Sequence, residues 1–142
     1  MKSVYLSHNM ASKEYGRALQ QKIEALGVKV YNPFREVEQS VDVSSETNYY
    51  KARNIVAKEL DAISNSNAIV TVVTDDWAAG SHMESALGVV KFDKPCFVLW
   101  LARPYSRMTP HHIWYDVLAT VYDSEATLLR GLEMWANVET SA

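Results

Sequence analysis

The sequence predicts a single α/β domain built on a mostly parallel sheet, and three observations carry that expectation. Short β-branched runs alternate with helical periodicities along the chain, as strand-helix-strand crossovers require. The run Ala68-Ile69-Val70-Thr71-Val72-Val73 reads as a buried strand. Gly27 stops one helical pattern just before the next strand, where a helix C-cap belongs.

Taken in order, Val4-Tyr5-Leu6 is the first strand. Tyr15, Leu19, Ile23 and Leu26 recur at spacings of four, four and three, which predicts a helix over about residues 11 to 26. Val28 to Tyr31 forms a second strand, ended by Asn32-Pro33. From Phe34 to Tyr50 polar residues surround isolated valines, so a long loop is expected, with Tyr49-Tyr50 near its end as a stacking surface or as packing for the next helix. Ile55, Val56, Leu60 and Ile63 mark a second helix ahead of the strand at 68 to 73. Met83, Leu87 and Val90 carry a third helix, and Lys94-Pro95 introduces a fourth strand from Cys96 to Leu101. A Pro-rich, basic connection from Arg103 to His112 leads to a fifth strand over Val117 to Val121. Leu128, Leu129, Leu132 and Trp135 close the chain as a helix, giving about five strands in one domain over residues 1–142.

Composition narrows the function. With 142 residues, 48% apolar and 22% charged, the chain can bury its own core. A net charge of −3 argues against a nucleic-acid polymer as partner, which needs a basic face. The single Cys96 lies in an apolar run and suits a reducing compartment. The start turns polar at Ser7-His8-Asn9, too early for a signal peptide, and no apolar stretch approaches the roughly 20 residues of a membrane span. A soluble, cytoplasmic protein without a membrane partner is expected. His111-His112 are adjacent rather than spaced on one face, and neither a Walker loop nor a Gly-x-Gly-x-x-Gly turn occurs, so no metal and no cofactor are expected.

The segment Asp75-Asp76-Trp77-Ala78-Ala79-Gly80-Ser81-His82-Met83-Glu84-Ser85-Ala86-Leu87-Gly88 follows the strand at 68 to 73 and opens a helix. It puts Glu84 about one turn into that helix at the carboxyl end of a buried strand, where ligands bind in open α/β sheets. Glu59 lies on the preceding helix, and spacing alone does not decide whether the two acids meet.

The order Val4-Tyr5-Leu6, the helix ending in Gly27, Tyr31-Asn32-Pro33, Glu59 to Val70 and Gly80-Ser81-His82-Met83-Glu84 resembles the nucleoside 2-deoxyribosyltransferase family, which includes nucleotide N-glycoside hydrolases. The resemblance covers roughly residues 3 to 101. It implies a flavodoxin-like (Rossmann-like) sandwich and cleavage of the bond between a base and a (deoxy)ribose. Residue by residue, it implies Glu84 as nucleophile, Tyr5 as the tyrosine holding it, and Glu59 as the acid serving the leaving base. Glu59 replaces the family's usual aspartate, Asn67 replaces a second one, and Ala78 stands where monophosphate-cleaving members place a serine. The resemblance further implies sites shared between subunits, hence a homodimer or higher homo-oligomer, with the connection from Arg103 to Asp116 bringing Arg107 and His112 to a neighbour's site.

These residue types fit the chemistry. Displacing a base from C1′ passes through an oxocarbenium-like state, which a carboxylate on the opposite face stabilises or captures as a glycosyl ester while a second acid protonates the base. Ser7, His8 and Asn9 after the first strand and Gly80, Ser81 and His82 at the helix start offer substrate contacts, while Asp76 and Trp77 flank a base pocket. Two rival readings stand beside this one. The start of the chain also looks like a TIR domain, implying an NAD glycohydrolase, and the departures at Glu59 and Asn67 are compatible with a nucleotide-sensing or protein-interaction module without turnover.

Overall fold

The computed structural model of the chain describes residues 1–9, 13–33, 46–76 and 79–138. Strands β1 (Ser3–Ser7), β2 (Lys29–Tyr31), β3 (Ala68–Val73), β4 (Cys96–Trp100) and β5 (Thr120–Tyr122) form one five-stranded, all-parallel sheet. Their order, β2-β1-β3-β4-β5, is that of the flavodoxin-like sandwich. The helices are α1 (Lys13–Glu24), α2 (Glu46–Asn65), α3 (Ala79–Val90), α4 (Ile113–Leu118) and α5 (Glu125–Asn137).

Side-chain alternation along each strand divides the core in two. Val4 and Leu6, with Ala68, Val70 and Val72, face α1 and α5, where they bury Leu19, Ile23, Leu128 and Leu132. Tyr5, with Ile69 and Val73, faces the other layer, against Ile63 of α2. A parallel sheet covered on both sides needs apolar residues on both faces, which is why β3 is buried at every position.

Helix α1 closes in a turn at residues 25–27, and Gly27 takes φ +84°, a left-handed conformation that costs glycine nothing. Residues 11 and 12, expected as the start of this helix, lie outside the described residues, as do residues 34–45 of the expected loop. The expected loop does not reach Tyr50. Tyr49 and Tyr50 belong to α2, whose opening turns expose both rings and therefore show no apolar stripe.

The fifth strand is also corrected. Val117 and Leu118 end α4, and β5 begins only at Thr120. The His112 side chain accepts from the Trp114 amide while its carbonyl accepts from Tyr115 and Asp116, so a capped helical turn overrides β-branched propensity. Among the described residues, no helix is long and apolar enough to cross a membrane.

Helix α3 is seated closely on the sheet. Its small residues Ser81, Ser85 and Gly88 recur one turn apart and are buried. A Cβ on Gly88 would fall 1.6 Å from Cδ1 of Ile69, so at this depth it would have to displace that side chain. We expect Gly88→Ala and Ile69→Val each to destabilise the chain, but the double variant to cost less than their sum by about 1 kcal/mol or more. Urea unfolding of the four proteins measures that coupling, and strict additivity would show that the helix is not held at this depth.

Candidate active site

On β1 the alternation that buries Val4 and Leu6 under α1 turns Tyr5 and Ser7 toward α2 and α3. On α3 the helical period sorts the side chains as sharply. Ser81, Ser85 and Gly88 face the sheet, Met83, Leu87 and Val90 are exposed, and His82, Ala86 and Val89 line a cavity. Glu84 is left beside the sheet-facing row, leaning toward β1. There Ser7 Oγ donates to Glu84 Oε1 at 2.8 Å and the Tyr5 hydroxyl donates to Oε2.

Glu59 joins this group. Helix α2 has 20 residues, about 30 Å, and outruns the six-residue strand that follows it, about 20 Å. A residue past the middle of the helix therefore lies level with the sheet rather than behind it. Glu59 acts on Glu84 through its charge and through a hydrogen bond between the two side chains.

The proton affinities follow from this setting. Burial raises the pKa of Glu84 most; the hydrogen bonds from Tyr5 and Ser7 lower it, Glu59 raises it again, and the balance stands at about 7. Tyr5 is fully buried, stacked on Tyr31 at 5.5 Å, and its pKa is driven up by burial and then by Glu84 and Glu59. It remains a hydrogen-bond donor throughout the physiological range.

The remaining expected site residues fall into separate groups. His8 is buried, with Nε2 3.0 Å from Asn32 Oδ1 and Nδ1 3.1 Å from the Asn9 carbonyl, against Gly16 of α1. Burial lowers its pKa while the contacts with Asn32 and Asn9 oppose that, and the ring ties the β1 exit to the residue that follows β2. Asn9 Nδ2 donates to Thr74 Oγ1 at 3.1 Å and to the Asp76 carbonyl at 3.4 Å, tying the exits of β1 and β3 together. Gly80 is exposed, with space for a Cβ. Ser81 is buried, and its carbonyl accepts from Ser85 Oγ at 2.7 Å. Trp77 and Ala78 lie outside the described residues.

His82 points away from Glu84 and pairs through Nδ1 with the Tyr115 hydroxyl at 2.5 Å. It lines a cavity of about 840 Å³ shared with Asp76, Trp100, Arg103 and His112. Tyr5, Ser7, Glu59 and Glu84 are not among its walls. His112 caps α4 and packs edge-on against Tyr105, while Arg107 is exposed. Asn67 stands at the far end of the sheet, where its Oδ1 accepts from the Ser3 amide at 2.8 Å. Among the described residues, no group of three or more His, Cys, Asp or Glu is gathered where it would hold a metal.

One contributor was not among the expected site residues. Thr71 Oγ1 meets Ser85 Oγ at 2.6 Å inside the core, a polar rivet between β3 and α3 next to Glu84. A threonine in the middle of an otherwise apolar strand was the available signal. Ser7, expected among the substrate contacts, also holds Glu84.

Residues 1–100 match the family described as "Nucleoside 2-deoxyribosyltransferase like". No curated protein sequence matches the chain. Among solved structures, a 2-deoxyribosyltransferase from Bacillus psychrosaccharolyticus superposes with a TM-score of 0.70 at 14% identity, covering 89% of this chain and 90% of its own. A conserved protein from Enterococcus faecalis V583 gives 0.70 at 18% identity, over 95% and 99% of the two chains. The Clostridium botulinum CMP N-glycosidase BcmB gives 0.59 at 16% identity, over 93% and 99%. At these identities the superpositions establish a shared fold.

A carboxyl group whose pKa rises on folding binds protons more tightly in the native chain, so its contribution to stability falls as pH rises from about 4.5 to about 7. Glu84→Gln has no such proton to lose. The stability of Glu84→Gln relative to the parent should therefore grow between pH 5 and pH 8, by about 2–3 kcal/mol. Thermal unfolding across that range measures it, and a constant difference would contradict the raised pKa.

Proposed function

Because this chain belongs to the nucleoside 2-deoxyribosyltransferase-like family, a family of N-glycosidic bond transferases and hydrolases, we propose that it cleaves or transfers at the N-glycosidic bond of a (deoxy)nucleoside or nucleoside monophosphate. The observation that carries the reading is the Glu84 carboxylate held by the Tyr5 and Ser7 hydroxyls beside a second acid, Glu59.

Glu84, ionised, attacks C1′ as the C1′–N bond breaks and its electron pair moves to the base. Protonated Glu59 gives its proton to the departing nitrogen. Water, or a second base in a transferase, then displaces Glu84 from the glycosyl ester with overall retention. Charge on Glu59 opposes ionisation of Glu84, so Glu84 ionises more readily when Glu59 carries a proton, the arrangement this step needs. Tyr5 and Ser7 spread the charge that returns to Glu84 when the ester opens. Asn9, Trp77, Gly80 and Ser81 remain candidate substrate contacts.

We also propose a homo-oligomer acting on this nucleoside or nucleotide substrate. Ile113 and Val117 of α4 and Met83 and Val90 of α3 expose apolar side chains, the composition of an association surface. Arg107 and His112 would reach a neighbour's site from the connection beside it.

Incubation with deoxynucleosides, their monophosphates and NAD, followed by detection of free base, tests the reaction and separates it from NAD cleavage and from a module without turnover. Glu84→Gln should lower turnover on the best substrate by about a thousandfold or more while the circular dichroism spectrum is retained. Glu59→Gln should slow poor leaving bases more than one that departs without a proton. A near-parental rate in Glu84→Gln removes the nucleophile assignment.

Assembly is tested by mixing. Light scattering should show a dimer or larger species, and Glu84→Gln chains mixed with Arg107→Ala chains should regain activity through hybrid sites. A fully active monomer would eliminate shared sites.

A further inference from the structure

We propose that the cavity of about 840 Å³ on the far flank of α3 is a second binding site, taking a flat amino-substituted N-heteroaromatic compound such as a guanine nucleoside. Its volume lies in the range of small-molecule sites. Residues two apart on a helix point about 200° from each other, so the cavity residues His82 and Ala86 and the acid Glu84 belong to opposite flanks. The site is therefore separate from the carboxyl pair, and ligand binding there does not depend on whether Glu84 reacts.

Ring geometry argues for an aromatic occupant. Trp100 and Tyr115 meet edge-on at 71°, Tyr105 and His112 edge-on at 67°, and His82 and Tyr115 tilted at 57°. None of these pairs stacks face to face, in contrast with Tyr5 and Tyr31 in the core at 18°. An edge-on contact covers a face of one ring of each pair, and Trp100 also meets His111 tilted at 59°, so the exposed Trp114 indole is the face that the wall offers. Stacking a base on such faces is favourable for any flat ring.

The polar members narrow the class. Asp75 is engaged by Arg103, accepting from its backbone amide at 2.9 Å and pairing with Nε at 3.4 Å, which fixes the rim. Asp76 contributes a second carboxylate to the rim, an acceptor for adjacent N–H groups such as the ring N–H and amino group on one edge of guanine. Burial and the neighbouring His112 hold the pKa of His82 down, so that wall carries a neutral imidazole able to meet a neutral ring.

Calorimetric titration of guanosine into Glu84→Gln protein, which cannot turn it over, tests the site. Filling the cavity with Ala86→Phe or, independently, Val89→Phe should remove one guanosine equivalent per chain. Trp114→Ala should weaken that equivalent about tenfold, and uridine, with a smaller ring and one N–H on its edge, should bind it more weakly. The loss of one equivalent is the signature whether the remaining count is one, when the carboxyl site also binds, or zero, when it does not. A count unchanged by both fillings in chains of unaltered circular dichroism overturns the site. So does an absence of binding in Glu84→Gln, including the case in which a second copy of the chain occupies the cavity and Ala86→Phe weakens association instead.

Discussion

The depth at which α3 sits on the sheet is the constraint from which the rest of the molecule follows. Ser81, Ser85 and Gly88 let the helix approach until Ile69 occupies the space a Cβ would need, and the Thr71 hydroxyl fastens Ser85 there. Glu84 shares this seat, so its reach toward Tyr5 and Ser7 is fixed by the helix rather than by its own flexible stem. An ångström of lift would break both contacts, since a hydrogen bond of 2.8 Å tolerates little lengthening. Small residues that look unremarkable in sequence set the position of Glu84.

Electrostatically, the pair of donors is a compromise. A buried carboxylate next to arginine would ionise readily and be a poor nucleophile, whereas one with no donor would stay protonated. Two hydroxyls lie between these extremes, so burial still outweighs them and leaves Glu84 near neutrality in its proton affinity. Tyr5 can play this part because complete burial and then the charges of Glu84 and Glu59 keep its own proton in place.

Much of this was legible in the sequence, and the misses have physical causes. β3 was readable from Ala68 to Val73 because burial on both faces leaves an unbroken apolar run, and Gly27 marked the end of α1 because a left-handed residue favours glycine. Tyr49 and Tyr50 were misplaced because a helix projecting beyond the sheet needs no apolar stripe in its first turns. Val117 and Leu118 were misplaced because a cap from His112, not the intrinsic preference of those residues, decides a six-residue helix. The meeting of Glu59 with Glu84 depended on the relative lengths of helix and strand, and the helix start was hidden in a polar segment. The seat of Thr71 against Ser85 joins residues 14 apart whose approach exists only after β3 and α3 pack.

His111 lies between Asp116 and Asp123, with ring nitrogens 3.1 and 2.6 Å from their carboxylates. Desolvation pulls its pKa down, but the two acids together pull it further up. The imidazolium thereby clips the connection after β4 to α4 and to the segment leaving β5, and its stabilising share is lost as pH climbs through the raised pKa. Glu84 leans the same way, so near neutrality both groups draw protons from solution as the chain folds. The native molecule is in this sense an acid-seeking fold, and mildly alkaline surroundings that free the Glu84 carboxylate also loosen the His111 clip on α4.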